Sequence, residues 1–539
     1  MGLTKVTYAM INGASFNVYD FGAVGDGTTD DTAAFQAALD AIKASDTTCS
    51  LWVPAGTYLI SDTLTYNQTN LIKSVSIIGE DETKTIIRFT GTGGCLSFTL
   101  GTITDQKANR LTIKNLTLYA TEVSAGAAIR INRDPWTSWS VAPTTLLEDV
   151  YINQDVDNGG YWTYGIHSSN CEDFWINRCY FMFYGPTTTA GIFFDNDTDR
   201  PTFGAYITNC SMNGAITGIY STGWTESIYI TDSALVGCTT CIHLLSDDTP
   251  YGNTNLNVTG CHLNCKYRCI DTAGWRSIFI TGSDIYSGVG AGDVDGTNIY
   301  IQTASKVVIS GSKIEIGAAG GIYRSFITFV DTVDFSITGN TMSNASAAGV
   351  VITGASARGV ISGNTITGFA GDAQSNEGIY NVSTGNNFAY TGNMITYFVK
   401  GIYVSTGNNH AVTGNAFNNM SEYGVYFNVV GTDSIAFNNS FKSCTSDVFA
   451  EVTNARRELY RLGAITSATI ASGAILTRSF STSGCQVGDF VDVGAPFDLQ
   501  GMSATANVTA DDSCTLTVTN LTGASKVLAD GTWNFRFHN

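Results

Sequence analysis

Short segments of alternating apolar and polar residues recur along most of the chain, and each ends in a turn residue. Their third residues stand at 178, 209, 232, 260, 282, 311, 339, 363, 392, 414 and 438, so the steps run from 22 to 31 residues. The segments are INRCYF, ITNCSM, ITDSAL, VTGCHL, ITGSDI, ISGSKI, ITGNTM, ISGNTI, YTGNMI, VTGNAF and AFNNSF. Short strands at this period predict the coils of a parallel β-helix, because a β-propeller blade needs about 40 residues.

A second element recurs between these segments, in forms such as YGIHS (164–168), TGIYS (217–221) and EGIYN (377–381). If the Ile points inward, strand alternation places the following residue outside. Because stacked coils lie about 4.8 Å apart, the outer residues should form one row. That row reads His167, Phe193, Tyr220, His243, Asp271 and Tyr300, and later Tyr380, Tyr403 and Tyr426.

The two ends of the chain differ from the repeats. Residues 29–44 predict a short amphipathic helix that caps the coils, with Thr29 or Asp30 as its N-cap. Its apolar stripe would comprise Ala34, Phe35, Ala38, Leu39 and Ile42. Residues 450–463 form a charged connector that is compatible with a helix, and alternation around Gly turns follows it. We therefore predict an all-β chain with an N-terminal attachment segment (1–15), a right-handed single-stranded parallel β-helix (16–455) and a small C-terminal β domain (456–539).

Composition excludes several partners. The 539 residues carry a net charge of −19, so no basic stripe for nucleic acid is expected. No apolar run approaches the roughly 20 residues of a membrane-spanning helix, and the N-terminus shows no secretion signal. We expect no metal and no cofactor.

The 13 cysteines argue against a disulfide framework and for synthesis in a reducing compartment. Cys179, Cys210 and Cys261 share one repeat position, which indicates a column of buried thiols. The same explanation is preferred over zinc for the group that comprises Cys238, Cys241, Cys265 and Cys269.

The N-terminal sequences FNVYDFGAVGDGTTDDTAAFQAALDAI (16–42) and LWVPAGTYLI (51–60) carry a family resemblance. They resemble the first coils of the pectate-lyase-like β-helix superfamily, and the whole chain looks like a bacteriophage tailspike or capsule depolymerase. The resemblance implies a homotrimer in a virion tail, attached to other tail proteins through its N-terminus. It also implies binding of a bacterial surface polysaccharide, either capsule or O-antigen.

Tryptophan and proline concentrate in the first half of the repeats. Six of the eight Trp lie between 136 and 275, and loops such as RDPWTSWSVAPTT and DNDTDRPTFG interrupt the coils there. Aromatic faces stack on sugars while carboxylates hold their hydroxyls, so we place the polysaccharide between about 134 and 300. Beside the outer row, the expected substrate-binding residues are Trp224, Trp275 and Arg276.

Glycoside hydrolysis needs two carboxyl groups, about 5 Å apart in retaining enzymes and about 6.5–9.5 Å apart in inverting ones. We expect the pair among Asp195, Glu226 and Asp271, with Asp247 and Asp155 as substitutes.

Three alternatives remain open. A lyase would use a base and a carboxylate neutraliser from His167, His243, Tyr220 and Arg276, although the acidity of the chain disfavours a polyuronate. That lyase could be a tailspike or a free-standing bacterial enzyme. The third alternative is a receptor-binding fibre without catalysis.

Overall fold

The computed structural model describes most of the chain, and its residues fall into two compact units, 1–327 and 328–539. The described residues are 15–45, 48–68, 74–103, 107–108, 110–133, 144–155, 157, 159–171, 173–184, 187–196, 202, 204–246, 253–288, 296–317, 324–369, 376–428, 434–450, 456–482 and 485–538. The proposed attachment segment lies almost wholly outside them.

A helix covers the first coil, as predicted. The α-helix Thr32–Ala44 buries all five residues of the expected apolar stripe. The predicted N-cap is wrong, because the residue that precedes the helix is Asp31. The Asp31 carboxylate turns away from the helix and accepts hydrogen bonds from the backbone N–H groups of Val24 (2.7 Å) and Gly25 (3.1 Å). Asp30 instead accepts from the Thr32 N–H at 3.0 Å.

The acidic N-terminal motif is therefore structural. Asp26 accepts from the backbone N–H groups of Thr28 and Thr29, which holds the pKa of Asp26 well below its ordinary value. Asp30 accepts a 2.6 Å hydrogen bond from the hydroxyl of Ser61 in the next coil. These carboxylates hold turns together and are not free for chemistry.

Three parallel sheets, here called A, B and C, run along the coils of the first unit. Sheet A comprises Leu64–Gln68, Leu96–Leu100, Ala127–Arg133, Tyr164–Ser169, Ala190–Asp195, Thr217–Thr222, the second halves of Ala234–Leu245 and His262–Ala273, and Gly296–Gln302. Sheet B comprises Phe16–Asn17, Cys49–Val53, Val75–Gly79, the first halves of Leu111–Ala120 and Thr145–Gln154, Phe174–Asn177, Ala205–Thr208, Ser227–Thr231, Asn253–Thr259, Trp275–Thr281 and Lys306–Ser310.

Sheet C completes each coil. It comprises Asp26–Asp30, Gly56–Ile60, Thr85–Phe89, the second halves of Leu111–Ala120 and Thr145–Gln154, Tyr180–Met182, Ser211–Asn213, the first halves of Ala234–Leu245 and His262–Ala273, Asp284–Ser287 and Lys313–Ile316. A 3-10 helix (Val18–Phe21) and a hairpin (Thr102–Ile103 with Lys107–Ala108) lie outside the three sheets. The predicted parallel β-helix is confirmed.

The second unit repeats the three strand positions. The strands at the sheet A position are Val350–Thr353, Glu377–Asn381, Lys400–Val404, Tyr423–Phe427 and Ser446–Ala450. Those at the sheet B position are Val333–Thr338, Ala357–Ser362, Phe388–Thr391, His410–Thr413 and Ile435–Phe437. Those at the sheet C position are Thr341–Ala345, Thr365–Gly368, Met394–Thr396, Ala416–Asn418 and Ser440–Lys442. The strand Arg324–Val330 contains the boundary between the units.

The chain ends in antiparallel strands. Arg456–Ile465 and Phe490–Gly494 both pair with Gly531–His538, Ser513–Asn520 pairs with Ile475–Ser481 and Met502–Ala510, and Ala468–Ile470 pairs with Lys526–Leu528. The helical interpretation of 450–463 is wrong for its described residues, since Ala450 ends one strand and Arg456 begins another, of which Glu458–Ile465 pairs with the C-terminal strand. Residues 451–455 lie outside the described part of the chain.

One turn conformation explains the recurring segments. All eleven third residues adopt a left-handed backbone, with φ between 48° and 67°. Glycine and asparagine tolerate this conformation best, and seven of the eleven positions are glycine.

The next position in each segment points inward and stacks from coil to coil. In the first unit it holds cysteine or serine, and the backbone N–H of Cys210 donates to the Ser233 hydroxyl at 3.0 Å. The predicted burial of Cys179, Cys210 and Cys261 is confirmed. The prediction of free buried thiols is wrong for Cys265 and Cys269, which form a disulfide across a Cα separation of 5.0 Å.

No group of three or more metal-ligating side chains is assembled within the described residues. Over the same residues, no helix is long and apolar enough to cross a membrane.

Candidate functional site

The predicted outer row exists on sheet A of the first unit. Strand pairing places Arg130 beside His167, and then Phe193, Tyr220, His243, Asp271 and Tyr300 in successive coils. The ring centroids of His167 and Phe193 lie 4.9 Å apart, as do those of Phe193 and Tyr220. The row is therefore a column of stacked side chains.

Packing within the column changes the expected role of its aromatic residues. Phe193 has a ring on each side, with interplanar angles of 29° to His167 and 13° to Tyr220. Both of its faces are covered, so a sugar cannot stack on Phe193 as it would on a free aromatic face. Phe193 instead fixes the side chains next to it.

His167 connects a guanidinium to a carboxylate. Its Nδ1 lies 3.1 Å from Arg130 Nη2 and its Nε2 lies 3.2 Å from Asp195 Oδ2. Arginine can only donate, so Nδ1 accepts and the proton resides on Nε2, which donates to Asp195. Burial is the main cause that lowers the pKa of His167. The hydrogen bond and charge of Asp195 raise this pKa, whereas the charge of Arg130 lowers it further. The imidazole is thus neutral and orients a half-exposed carboxylate.

Glu226 lies one coil beyond Asp195, in the turn between sheets A and B. The two neighbouring inward side chains, Asn196 and Thr225, are joined by a 2.9 Å hydrogen bond. Asp195 and Glu226 are therefore the sequence neighbours of the two residues that form this buried hydrogen bond. Partial burial of Glu226 raises the pKa of its carboxyl group. Two neighbouring coils thus carry a carboxyl whose pKa is raised by burial, Glu226, and a carboxylate that accepts a histidine hydrogen bond, Asp195.

Asp271 belongs to a separate cluster. Its Oδ2 accepts from Arg268 Nη1 at 2.9 Å and lies 3.9 Å from His243 Nε2. The Arg268 guanidinium also lies 4.0 Å from the ring centroid of Tyr300. Burial lowers the pKa of His243, whereas Asp271 opposes that effect. Three coil steps separate Asp271 from the Asp195 coil, which is about 14 Å, so these two carboxylates cannot form one hydrolytic pair.

Several expected site residues lie elsewhere. Trp224 and Trp275 are buried, with 6% and 0% of their surface exposed, so neither can stack on a polysaccharide. Arg276 is exposed on sheet B and not in the row. Asp155 is buried and forms an ion pair with Arg88 at 3.4 Å. Asp247 lies outside the described residues.

Three residues of the site were missed by the sequence prediction: Arg130, Tyr164 and Arg268. Arg130 follows an inward Ile in AAIRINR, so the same alternation extended one coil back would have identified it. Tyr164 stacks on Phe193 at 5.4 Å, although it begins its strand and lies three residues from His167. Arg268 lies before the inward Ile, where alternation gives no reason to expect a contact with Asp271.

The later row of the second unit is also present. Tyr380, Tyr403 and Tyr426 occupy successive coils, with ring centroids 5.2 and 5.3 Å apart. Lys400 lies 3.1 Å from Glu422 and 3.8 Å from Glu377. The charged groups beside this row are therefore paired with each other.

Comparison with known proteins finds two matching family models. Residues 15–266 match the family model described as rhamnogalacturonase A/epimerase, pectate lyase-like, and residues 254–473 match the model of the periplasmic copper-binding protein NosD. The first match supports the predicted resemblance to the pectate-lyase-like superfamily.

The chain is also similar to individual proteins. The mannuronan C5-epimerases AlgE3 and AlgE1 of Azotobacter vinelandii are 56% and 54% identical over 46 residues, which is 8% of this chain and 2% and 3% of theirs. Tailspike protein 3 of bacteriophage CBA120 is 13% identical with a TM-score of 0.50, over 82% of this chain and 61% of that chain. A tailspike variant of E. coli bacteriophage HK620 is 11% identical with a TM-score of 0.49, over 97% and 93%. The chain shares its fold with the first of these tailspikes.

Proposed function

We propose that this protein binds and depolymerises a bacterial surface polysaccharide as a phage tailspike, by hydrolysis at Asp195 and Glu226. The observation that carries the proposal is the position of Glu226, whose carboxyl pKa is raised by partial burial, one coil from the His167-bound Asp195. The match of residues 15–266 to the pectate-lyase-like family model and the fold shared with a tailspike support a polysaccharide as the substrate.

In this mechanism the two carboxyl groups have opposite tasks. Glu226 donates its proton to the glycosidic oxygen as the bond from that oxygen to the anomeric carbon breaks. Asp195 takes a proton from water, which forms the new bond to the anomeric carbon, or attacks that carbon directly if the carboxyl groups approach about 5 Å. His167 does not exchange protons; its Nε2–H fixes the orientation of Asp195.

Carboxamide substitutions test the pair. We expect Asp195→Asn and Glu226→Gln each to lower turnover by roughly 10²–10⁴ while polysaccharide binding persists. Turnover is measured as the release of fragments from a panel of purified capsules and O-antigens. Asp334→Asn is the control, because that exposed carboxylate pairs with Arg358 in the second unit. Wild-type turnover in both variants would exclude the pair, and binding without fragments from the unmodified protein would indicate a receptor-binding fibre.

One observation favours β-elimination as a second candidate. The neutral His167 lies between Arg130 and Asp195. If Arg130 turned from His167 Nδ1 to the carboxylate of a uronic acid, the freed Nδ1 lone pair could accept the C5 proton while Arg130 neutralises that carboxylate. The electron pair of the broken C–H bond would form the double bond as the glycosidic oxygen departs. Ultraviolet absorbance from unsaturated sugar ends would establish this reaction, whereas reducing ends without absorbance indicate hydrolysis.

The proposed assembly is a homotrimer in the virion tail. Light scattering should give three times the chain mass of 57.3 kDa, and a single-chain mass would contradict it.

A further inference from the structure

Four cysteines lie together in two neighbouring coils of the first unit. Cys238 and Cys241, here called the first pair, belong to the strand Ala234–Leu245. Cys265 and Cys269, the second pair, belong to the strand His262–Ala273, which lies beside it one coil further on. All four side chains are fully buried, and the proposed function assigns no role to them.

The two pairs occupy equivalent positions at the bend where sheet C passes into sheet A. Strand pairing places Cys238 directly beside Cys265. The sulfur atoms of Cys241 and Cys269 each lie near the carbonyl oxygen of a leucine six residues earlier, at 3.3 and 3.9 Å, and these two leucines are paired with each other. The second bend is one residue longer than the first.

The pairs differ in oxidation state. The second pair is a disulfide, whereas the first pair consists of free thiols that are hydrogen-bonded to each other. Burial raises the pKa of Cys241 and the hydrogen bond to Cys238 raises it further, so Cys241 keeps its proton and is the donor in that bond. A sulfur that accepts such a bond carries negative charge more readily, which makes Cys238 the nucleophile of the pair.

The Cys238 sulfur has the disulfide within reach. Paired residues of neighbouring strands lie about 4.8 Å apart, and disulfides join Cα atoms about 4.4–6.8 Å apart. Both Cys238 and Cys265 are buried, so both side chains point to the interior of the coils. A bond between these two residues therefore fits the existing stack of coils.

We propose that the two pairs form one exchange unit, in which a single disulfide passes between the second pair and the first. In the first step the Cys238 thiolate attacks Cys265 Sγ, the Cys265–Cys269 bond breaks, and Cys269 leaves as a thiolate that takes up the proton released by Cys238. In the second step the Cys241 thiolate attacks Cys238 Sγ and releases Cys265 in the same way. One disulfide and two thiols exist before and after, so no oxidant or reductant is consumed.

The exchange changes which bend is cross-linked. A disulfide in the second pair closes the bend that carries Arg268, whose Nη1 donates to Asp271 Oδ2 at 2.9 Å. A disulfide in the first pair closes the bend that precedes His243 instead, and His243 Nε2 lies 3.9 Å from the same Asp271 oxygen. The two forms thus fix different partners of Asp271. The inference is independent of the proposed function, because the exchange requires no polysaccharide.

Disulfide mapping of the full chain tests the exchange. The folded protein is incubated at mildly alkaline pH, where thiolates form, and is then quenched in acidic denaturant that contains N-ethylmaleimide. Digestion without reduction and mass spectrometry identify each disulfide. We expect the first pair to hold the disulfide in about a tenth of the chains or more, since bends of similar length have similar closure entropies. A disulfide that stays in the second pair in every chain would overturn the proposal.

Two serine variants separate the steps. Cys238→Ser removes the nucleophile and should leave the disulfide wholly in the second pair. Cys241→Ser stops the exchange after its first step, so a disulfide between Cys238 and Cys265 should accumulate together with a free Cys269 thiol. If the Cys241→Ser variant forms no such bond, the exchange through Cys238 is refuted.

Cys210→Ser is the matched control. Cys210 is also a buried thiol that is hydrogen-bonded to another, Cys179, but it lies at the turn between sheets B and C. This variant should show the same distribution of disulfides as the wild type. A change as large as that in Cys238→Ser would contradict a unit confined to the two pairs.

The outcomes separate this proposal from the catalytic one. Exchange in a protein that cleaves no polysaccharide would refute only the proposed function. Polysaccharide cleavage by a protein whose disulfide never leaves the second pair would refute only the exchange unit.

Discussion

The two units use one coil plan but fill the inward turn position differently. In the first unit the position holds small residues, such as Cys210, Ser233 and Ser283, each with few hydrogen bonds. In the second unit it holds a run of buried asparagines, and each side-chain oxygen accepts from the backbone and side chain of the asparagine one coil before. The second unit therefore gains a continuous polar ladder, whereas the first relies on apolar packing.

The outer rows of the two units also differ, and here it is the first unit that carries the more varied polar groups. The first unit joins an arginine, a buried histidine and a half-exposed carboxylate at Arg130, His167 and Asp195, while the second stacks tyrosines beside self-paired charges. Because both units keep the same coil plan while their outer rows differ, chemistry can change without a change in fold. The contrast leads to four predictions, from the largest effect to the smallest.

Substitution by Ala should destabilise the protein more in the asparagine ladder than at the serine positions of the first unit. Asn393→Ala would leave the Asn364 backbone N–H without its acceptor and would remove one of the three acceptors of the Asn364 side-chain amide. It would also remove the donor to the Ile361 carbonyl. We expect the free energy of unfolding to fall by about 4 kcal/mol, against about 1–2 kcal/mol for Ser283→Ala. Urea unfolding, or unfolding rates if refolding fails, provides the measurement. Equal losses would refute the difference between the two columns.

A buried histidine should make the second unit sensitive to acid. Burial is the largest cause that lowers the pKa of His410, from 6.5 to about 4, against opposing hydrogen bonds from the imidazole to the backbone of Thr406 and Gly407. The unfolded chain therefore binds a proton between those pH values while the folded chain does not. The contribution of His410 to the free energy of unfolding is complete above pH 6.5. About 3 kcal/mol of that free energy is lost as the pH falls to 4.

The variant His410→Gln isolates this effect. The difference in unfolding free energy between wild type and variant should change across pH 6.5–4 and stay level below it. A constant difference over that range would contradict the assignment.

Phe193 should matter for the site through packing. Phe193→Ala would leave a gap between His167 and Tyr220, so Asp195 would lose its fixed partner. We expect kcat to fall by roughly tenfold with a smaller change in KM, since the loss concerns orientation. Phe193→Leu refills part of the gap and should recover activity. A change in KM alone would indicate direct sugar contact.

The aromatic column of sheet B should contribute least. Trp175, which is 38% exposed, stacks on Tyr206 at 4.1 Å, and its Nε1 donates to Asp173. Trp175→Ala should cost about 1 kcal/mol of stability and leave fragment release unchanged. Reduced fragment release from a folded variant would extend the site to sheet B.

Most structural features that depend on the spacing of apolar residues could be predicted from the sequence. The repeat positions, the buried stripe of the capping helix and the sheet A row all follow from alternation, and the structure confirms them. Alternation fails where the chain turns, which is why the burial of Trp224 was missed. The Cys265–Cys269 contact also escaped, since it depends on the path of a strand whose pairing register shifts near Cys238.

The central claim is that the polysaccharide lies on the sheet A face of the first unit. Hydrogen exchange on the Asp195→Asn/Glu226→Gln double variant, with a polysaccharide that the wild type cleaves, tests it directly. We predict slower exchange in Ala127–Arg133, Tyr164–Ser169 and Ala190–Asp195 when the polysaccharide is bound. Protection confined to Glu377–Asn381, Lys400–Val404 and Tyr423–Phe427 would contradict the claim and place the site on the second unit.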